Sequence, residues 1–353
     1  MPGSPSPGPA GVRPDRAVVA LAVPPGLRAE FFGAADPAGP GGPAERLRAP
    51  ADLVPVDDPT DVETLRAAFG IADVVVSSWG MPRLTGELLA AAPRVGLLAH
   101  TGAAITPVVG ADAFARGVRV TQAGQGMARS VAEVALAFTL ALLHQTHRYD
   151  HALRGGREWE TASIAPARHE VLGARIGVVG ASRTGRAYIE VTRALGARVQ
   201  VADPTLSAAD AADLGVELVE LDRLLTTSRI VALHAPSLPA TRHLIGAREL
   251  ALLADGAGLV NTARSWLVDE RALLAELRTG RIEAALDVYD AEPLPVDHAF
   301  RALPNVLLTP HRAAGTVECR RRQGDIVLDE VERYLTGRPL AHEVGPEALT
   351  RVG

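Results

Sequence analysis

Short apolar runs alternate with helix-like patterns along most of the chain. In the first third, AVVALAV, ADVVVSS, VGLLAH and VRVTQ read as buried strands, being short, β-branched or Leu-rich, and bounded by polar or turn residues. Between them, DVETLRAAF, TGELLAAA and GADAFARG repeat apolar residues at helical spacing, and the last stops at Gly117. The stretch from Met127 to about Tyr149 predicts the longest continuous helix. Beyond it the alternation resumes with ARIGVVG, RVQVAD, VELVE, IVALHA, GLVNTA, EAALDVY and NVLLTP as strands. The helix DERALLAELRTG opens on an Asp269 cap and closes at Gly280, and a final helix runs from near Val317 to Tyr334. Strands and helices alternating at this spacing predict parallel sheets with helices on their faces.

A chain of 353 residues exceeds one ordinary core, so two doubly wound domains are expected. The expected division is a tail over 1–16, a first domain over 17–126, a second over 127–316, and a carboxyl segment over 317–353 that returns to the first. The tail MPGSPSPGPAGVRPDR is rich in Pro and Gly and lacks the order of a signal peptide.

Composition narrows the chemistry. A net charge of -5 gives no reason to expect nucleic-acid binding. All 36 basic residues are Arg, which excludes Schiff-base lysine chemistry and a Walker-type phosphate loop. The one cysteine, Cys319, lies in the polar run ECRRRQ and leaves no intrachain disulfide, pointing to a reducing compartment. The apolar stretch AEVALAFTLALL falls short of the roughly 20 residues that span a bilayer, so the expectation is a cytoplasmic protein without a membrane partner.

Three residues stand where a nicotinamide-dependent reduction would need them. Arg264 follows GLVNTA, Glu292 follows EAALDVY and His311 follows NVLLTP, each just beyond a strand's carboxyl end. In an open parallel sheet that edge binds ligands. Each residue alone also suits an ordinary loop or ion pair; the joint placement shifts the weight, with spacings of 292 − 264 = 28 and 311 − 292 = 19 residues. A cation for a carboxylate, an imidazole for a proton and a carboxylate to charge that imidazole make one reaction centre.

Upstream, IGVVGASRTGR follows a strand and opens a helix. Gly180, Ser182 and Gly185 occupy the three positions of a dinucleotide-binding glycine fingerprint, with Ser in place of the middle glycine. The Ser182 hydroxyl could itself donate to a phosphate. Asp203 ends the next strand 203 − 180 = 23 residues on, the distance at which an acid meets the adenine ribose, which favours NAD over NADP.

With these runs in place, the chain resembles the D-isomer-specific 2-hydroxyacid dehydrogenase family. The matching segments are SVAEVALAFTLALL, VLGARIGVVGASRTGR, LHAPSLPATRHLI, GLVNTARSWLVDERAL, AALDVYDAEPLP and NVLLTPH, covering most of residues 95–340. The resemblance implies a flavodoxin-like substrate domain and a Rossmann domain that binds NAD, a homodimer joined near the helix from Met127, and no metal. It implies that His311 exchanges the proton of the reacting oxygen, that Glu292 stabilises the imidazolium of His311, and that Arg264 holds a small anionic substrate. Arg183 and Thr184 would offer backbone N–H groups to the diphosphate, and His234, Ala235 and Pro236 would line the adenosine side. Thr262, Ala263, Asp287 and Ala314 would lie toward the nicotinamide. Trp79, Gly80, Thr101, Gly102 and Ala103 of the first domain would close over the substrate.

The departures fall on the substrate side. Ser265 and Trp266 follow Arg264 where Gly is common, Met127 stands where an amide is often found, and the first-domain loop lacks Gly-x-Gly-x-Asp. Arg312 offers a second cation for a doubly charged substrate such as a hydroxyphosphonate or phosphite-type compound. An NAD(H)-sensing protein with little turnover is a further alternative, against which the complete Arg264, Glu292 and His311 set argues. His144, His147 and His151 share one face if the long helix continues that far, a solvated or subunit-facing surface in preference to a metal site.

Overall fold

The computed structural model describes residues 16–33, 42–47 and 51–350, so the proline-rich tail lies outside it apart from Arg16. The chain divides into two compact units. One runs to Met127 and resumes at Val317; the other is Ala128–Thr316.

The first unit is built on a six-stranded sheet. Its strands are β1 (Ala17–Ala22), β2 (Ala51–Pro55), β3 (Val74–Ser77), β4 (Leu97–His100), β5 (Arg119–Gln122) and, from the carboxyl segment, β13 (Glu343–Val344). They lie in the order β13-β5-β4-β3-β1-β2, parallel throughout except β13, which pairs antiparallel with β5. Without β13 this is the flavodoxin-like order, and it reverses direction between β1 and β3. The strands read as unbroken apolar runs because both faces are covered. Ala20, Val75, Leu98 and Val120 pack against Leu65, Phe69 and Leu88 on one face. Leu21, Val76 and Leu97 on the other meet Phe31, Val327 and Val331. The helices Pro25–Phe32 and Val317–Leu335 approach so closely that a Cβ on Gly324 would strike the Phe31 carbonyl.

The second unit carries β6 (Arg175–Val179), β7 (Arg198–Ala202), β8 (Glu217–Leu218), β9 (Ile230–Leu233), β10 (Gly258–Asn261), β11 (Glu283–Leu286) and β12 (Val306–Leu308). Their order, β12-β11-β10-β9-β6-β7-β8, is the Rossmann order with one added strand, and its switch point lies between β6 and β9. The two parallel α/β sheets are the expected fold class.

Several elements differ from the sequence expectation. The helix from Met127 is not continuous to Tyr149: it spans Ala128–His144, breaks at Gln145, and a new helix covers Thr146–Arg154. Gln145 is left-handed, φ 59°, and its Nε2 donates to Leu142 O at 2.7 Å. His144 therefore does not share a helix with His147 and His151. His147 is instead buried, with Nε2 3.0 Å from Glu283, whose carboxylate Arg148 also grips at 2.7 Å. Among the described residues no three or more His, Cys, Asp or Glu are grouped to hold a metal.

Val317–Leu335, with 19 residues, is longer than the Ala128–His144 helix, with 17. Together with the 3-10 turn before it, however, Gly124–His144 is long and apolar enough to cross a membrane by length and composition. This corrects the expectation from the shorter AEVALAFTLALL run. More than half of it is buried in the fold, where Phe138 and Leu142 pack against Ile176, Tyr188 and Ile230. Cys319, although it lies in the polar run ECRRRQ, is fully buried.

Candidate active site

Arg264, Glu292 and His311 all belong to the second unit, and each follows a strand of its sheet by a few residues: Arg264 after β10, Glu292 after β11, His311 after the edge strand β12. His311 Nδ1 lies 2.6 Å from Glu292 Oε2. The other carboxylate oxygen of Glu292 accepts the Tyr289 N–H at 3.0 Å, so the acid is held at both ends. Arg264 sits in a turn braced by Asn261, whose side chain accepts from Ala263 N and donates to Arg264 O. Burial presses the Arg264 guanidinium below its ordinary pKa, and the charge of Glu292 opposes that shift. Asp269 caps the helix Glu270–Arg278, accepting the Ala272 N–H.

His311 has a left-handed backbone, φ 53°, uncommon for a residue with a side chain. Asp287 secures it. One carboxylate oxygen accepts Thr309 Oγ1 at 2.5 Å and Arg312 N at 2.9 Å, and the other accepts Ala313 N at 2.8 Å. Asp287 thus fastens the loop that carries His311, a role the sequence reading did not assign. Tyr289, whose hydroxyl lies 2.9 Å from Leu286 O and 2.8 Å from Thr309 O and can donate to either, ties the ends of β11 and β12 together. Neither Tyr289 nor Thr309 was singled out from the sequence, because their work is done on backbone groups that spacing does not record.

The phosphate-type loop is built as a close approach of backbones. Gly180 has φ +95°, and a Cβ there would lie 2.6 Å from Ala235 Cα; a Cβ on Gly185 would strike the Gly180 carbonyl. Only glycine fits either position. Ser182 needs no such freedom: it is the extended N-cap of the helix Arg183–Ala194, and its Oγ accepts Gly185 N at 3.3 Å. The hydroxyl oxygen thus caps the helix while its proton remains able to donate, and the first-turn N–H groups of Arg183 and Thr184 lie at the positive end of the dipole. Asp203 braces the same loop, with Oδ2 accepting Ala181 N at 2.7 Å and Oδ1 accepting from Thr205. Burial works to raise the Asp203 pKa, but the bonds from Thr205 and Ala181 outweigh it and keep the carboxylate below its usual range.

At the carboxyl ends of β9 and β10, Ser237 Oγ, Thr262 Oγ1 and both ring nitrogens of His234 are buried without a hydrogen-bond partner. Burial depresses the His234 pKa to about 3, so the ring is neutral. Orphaned polar atoms beside a glycine cradle are what a polar dinucleotide satisfies on binding. The residues present fit NAD.

The substrate-side residues lie in the first unit, at the carboxyl edge of its sheet. Trp79 and Gly80 follow β3; His100, Thr101, Gly102 and Ala103 close β4 and continue past it. Thr101 donates to Ser77 O and Ser78 Oγ, while Gln323 Nε2 donates to Thr101 O at 2.7 Å. His100, which the sequence reading passed over, is buried, with Nδ1 3.0 Å from Ser77 Oγ and Nε2 unpartnered. Arg312 is exposed in the second unit.

Residues 136–313 match the family model described as D-isomer specific 2-hydroxyacid dehydrogenase, NAD binding domain. D-3-phosphoglycerate dehydrogenase of Mycobacterium bovis is 38% identical over 293 residues, 82% of this chain. That match covers 54% of the relative, so the chain spans about half the length of this protein. Hydroxypyruvate reductase of Thermotoga maritima is 33% identical over 257 residues, 72% of this chain and 82% of the relative. The fold is that of the apo D-mandelate dehydrogenase of Rhodotorula graminis, with a TM-score of 0.80 at 23% identity over 94% of this chain and 98% of that one. The chain belongs to the D-isomer-specific 2-hydroxyacid dehydrogenase family, whose NAD-binding domain it carries.

Proposed function

We propose that this protein is an NAD-dependent oxidoreductase that interconverts a small 2-hydroxy acid and its 2-keto acid. The observation that carries the reading is the 2.6 Å contact of His311 with Glu292, with the half-buried Arg264 at the same carboxyl edge of a Rossmann sheet. Bound nicotinamide supplies or accepts the hydride at C2 of the substrate. In reduction, His311 donates the proton from Nε2 to the C2 oxygen, because Nδ1 is committed to Glu292. Glu292 fixes the ring and stabilises the imidazolium. Arg264 pairs with the substrate carboxylate through its planar fork and draws charge onto the carbonyl oxygen. In oxidation His311 takes the hydroxyl proton by the reverse path.

The cofactor preference follows from Asp203. Its ionised carboxylate suits the ribose hydroxyls of NAD and repels a 2′-phosphate. The partner we propose is a second copy of the chain. Because the Ala128–His144 helix is largely in the core, the contact falls on the following segment, where Leu153, Trp159 and Ile164 are exposed. A monomer by sedimentation velocity would remove this assignment.

The test of the reaction is NADH oxidation against glyoxylate, pyruvate, hydroxypyruvate, phenylpyruvate, oxaloacetate and phosphonopyruvate, with His311→Ala as control. Turnover abolished in the variant supports the reading. NADH binding without turnover on any of them would favour the sensing alternative.

A further inference from the structure

We propose that the amino-terminal edge of the second sheet carries an anion site, at the opposite end of the strands from the dinucleotide loop, that takes a small phosphate-bearing ligand. Arg175 and Arg229 are its binding groups, and Arg168 and Arg198 add charge beside them.

The sheet register builds the cluster. β6 pairs in parallel with β7 on one side and β9 on the other, and Arg175 is its first residue. Arg175 stands opposite Arg198, the first residue of β7. On the other side Ile176 is opposite Ile230, which brings Arg229 beside Arg175, and the Arg229 N–H donates to Arg175 O at 2.8 Å. Three arginines thus form one row across adjacent strands, which lie about 4.8 Å apart. Their neighbours Ile176, Val199 and Ile230 all enter the same core cluster, so the arginines project together from the other face. Like charges directly opposite one another destabilise a sheet unless a counter-charge lies between them. Among the described residues, none of these three guanidiniums has an ion pair or a side-chain hydrogen bond. The contrast is with arginines such as Arg248, held by Asp222 and Glu249, and Arg281, held by Glu276 and Asp255.

A recess of about 550 Å³ opens at this edge, lined by Arg168, His169, Arg175 and Arg229, with Glu170 as its acid. That volume is within the range of about 300 to 1,000 Å³ typical of small-molecule sites. Arg229 is half-buried and fixed by its backbone, whose carbonyl accepts Gly258 N at 2.9 Å. Arg168 lies over the Tyr149 ring, 6.0 Å from its centroid. Burial, and then the charge of Arg229, lowers the His169 pKa. The next acid along, Asp255, follows Ala254 of the lining and is paired with Arg281 at 3.4 Å. Three guanidiniums therefore face one carboxylate, a local positive excess in a chain of net charge -5. Planar guanidinium forks grip phosphate oxygens in pairs, which makes a phosphate oxyanion the fitting counter-charge. β6 spans five residues from Arg175 to Val179, so this recess and the Gly180 loop stand about 16 Å apart along one strand.

The experiment is isothermal titration of the full chain with pyrophosphate at constant ionic strength, with and without saturating NADH. R175Q and R229Q are titrated alongside R271Q, which alters an exposed arginine of the helix Glu270–Arg278. The expected result is one pyrophosphate per chain whose Kd NADH leaves unchanged, weakened at least tenfold in R175Q and in R229Q and less than twofold in R271Q. No binding, binding that NADH displaces entirely, or equal affinity in all four proteins overturns the proposal. Glycerol 3-phosphate in the same titrations separates the sources: affinity equal to that of pyrophosphate assigns a phosphate ester, and much weaker binding assigns a free inorganic anion. Thermal unfolding gives a second reading. Because the row repels itself, R175Q should unfold at a higher temperature than the native protein without anion, and pyrophosphate should raise the native midpoint alone. A midpoint that pyrophosphate raises equally in R175Q overturns the site.

Discussion

His311 and Glu292 are joined at 2.6 Å through Nδ1 and Oε2, which leaves Nε2 as the ring nitrogen able to serve the substrate. A pair acting as one unit gives non-additive variants. His311→Ala is expected to lower kcat by about 10² to 10⁴ while leaving the NADH Kd within about twofold. Glu292→Gln keeps a hydrogen-bond acceptor but removes the charge, and should cost less, roughly tenfold to a hundredfold. The double variant should match His311→Ala alone. Steady-state kinetics on all three checks this; losses that multiply would show that the two residues act separately.

Ser182 caps a helix instead of straining a loop. Its φ of -65° is open to any residue, and its Oγ takes the Gly185 N–H. Ser182→Ala should therefore lower stability by about 1 kcal/mol, and Ser182→Gly by only a few tenths. Urea unfolding of both variants measures this. A Ser182→Gly variant binding NADH tenfold tighter would show that the serine obstructs the diphosphate after all.

The strands were legible in the sequence for a physical reason. Both faces of each sheet are covered, so β3, β4, β9 and β10 are apolar at every position or nearly so and stand out against the turns. The edge strand β2, half-buried and ending in Pro55, and the two-residue β13 carry too little apolar weight to register. The break at Gln145 carries no glycine or proline to mark it. Arg264, Glu292 and His311 were legible because each lies within a few residues of a strand's carboxyl end. The supports were not: Asp287 holding the 312–313 backbone, Asn261 bracing the Arg264 turn and Arg320 on Trp79 join residues far apart in sequence or act on backbone. Ser182 likewise has a role as a helix cap that its place in a glycine fingerprint does not record.

Buried neutral histidines tie stability to pH. Burial lowers the pKa of His100 to about 4 and of His234 to about 3, from an ordinary 6.5. The unfolded chain takes up these protons first, so the contribution is fully present above pH 6.5 and is lost as pH falls toward the folded values. Each histidine then removes about 2 kcal/mol between pH 6.5 and 5, at about 1.4 kcal/mol per unit. Asp203 and Glu283, with depressed pKa values, lose their contributions only below the ordinary carboxylate range and do not confuse this window. Urea unfolding at pH 7.5, 6.5 and 5 should show a steep fall for the native protein and a shallower one for His100→Phe. Equal slopes would mean that His100 is not held neutral by burial.

Asp203 serves both the loop and the choice of cofactor, and the two roles separate experimentally. Its Oδ2 accepts the Ala181 N–H inside the glycine loop, so removing the carboxylate loosens the cradle for any dinucleotide. Its charge acts only against a 2′-phosphate. The native protein should bind NADH at least tenfold tighter than NADPH. Asp203→Ala should weaken NADH through both the lost ribose bond and the loosened loop. For NADPH the lost repulsion offsets the loosened loop, so its affinity stays level or rises and the ratio moves toward one. Fluorescence titrations of both cofactors with both proteins give the four constants needed. If Asp203→Ala weakens both cofactors equally, the residue is a loop brace and the preference for NAD lies elsewhere.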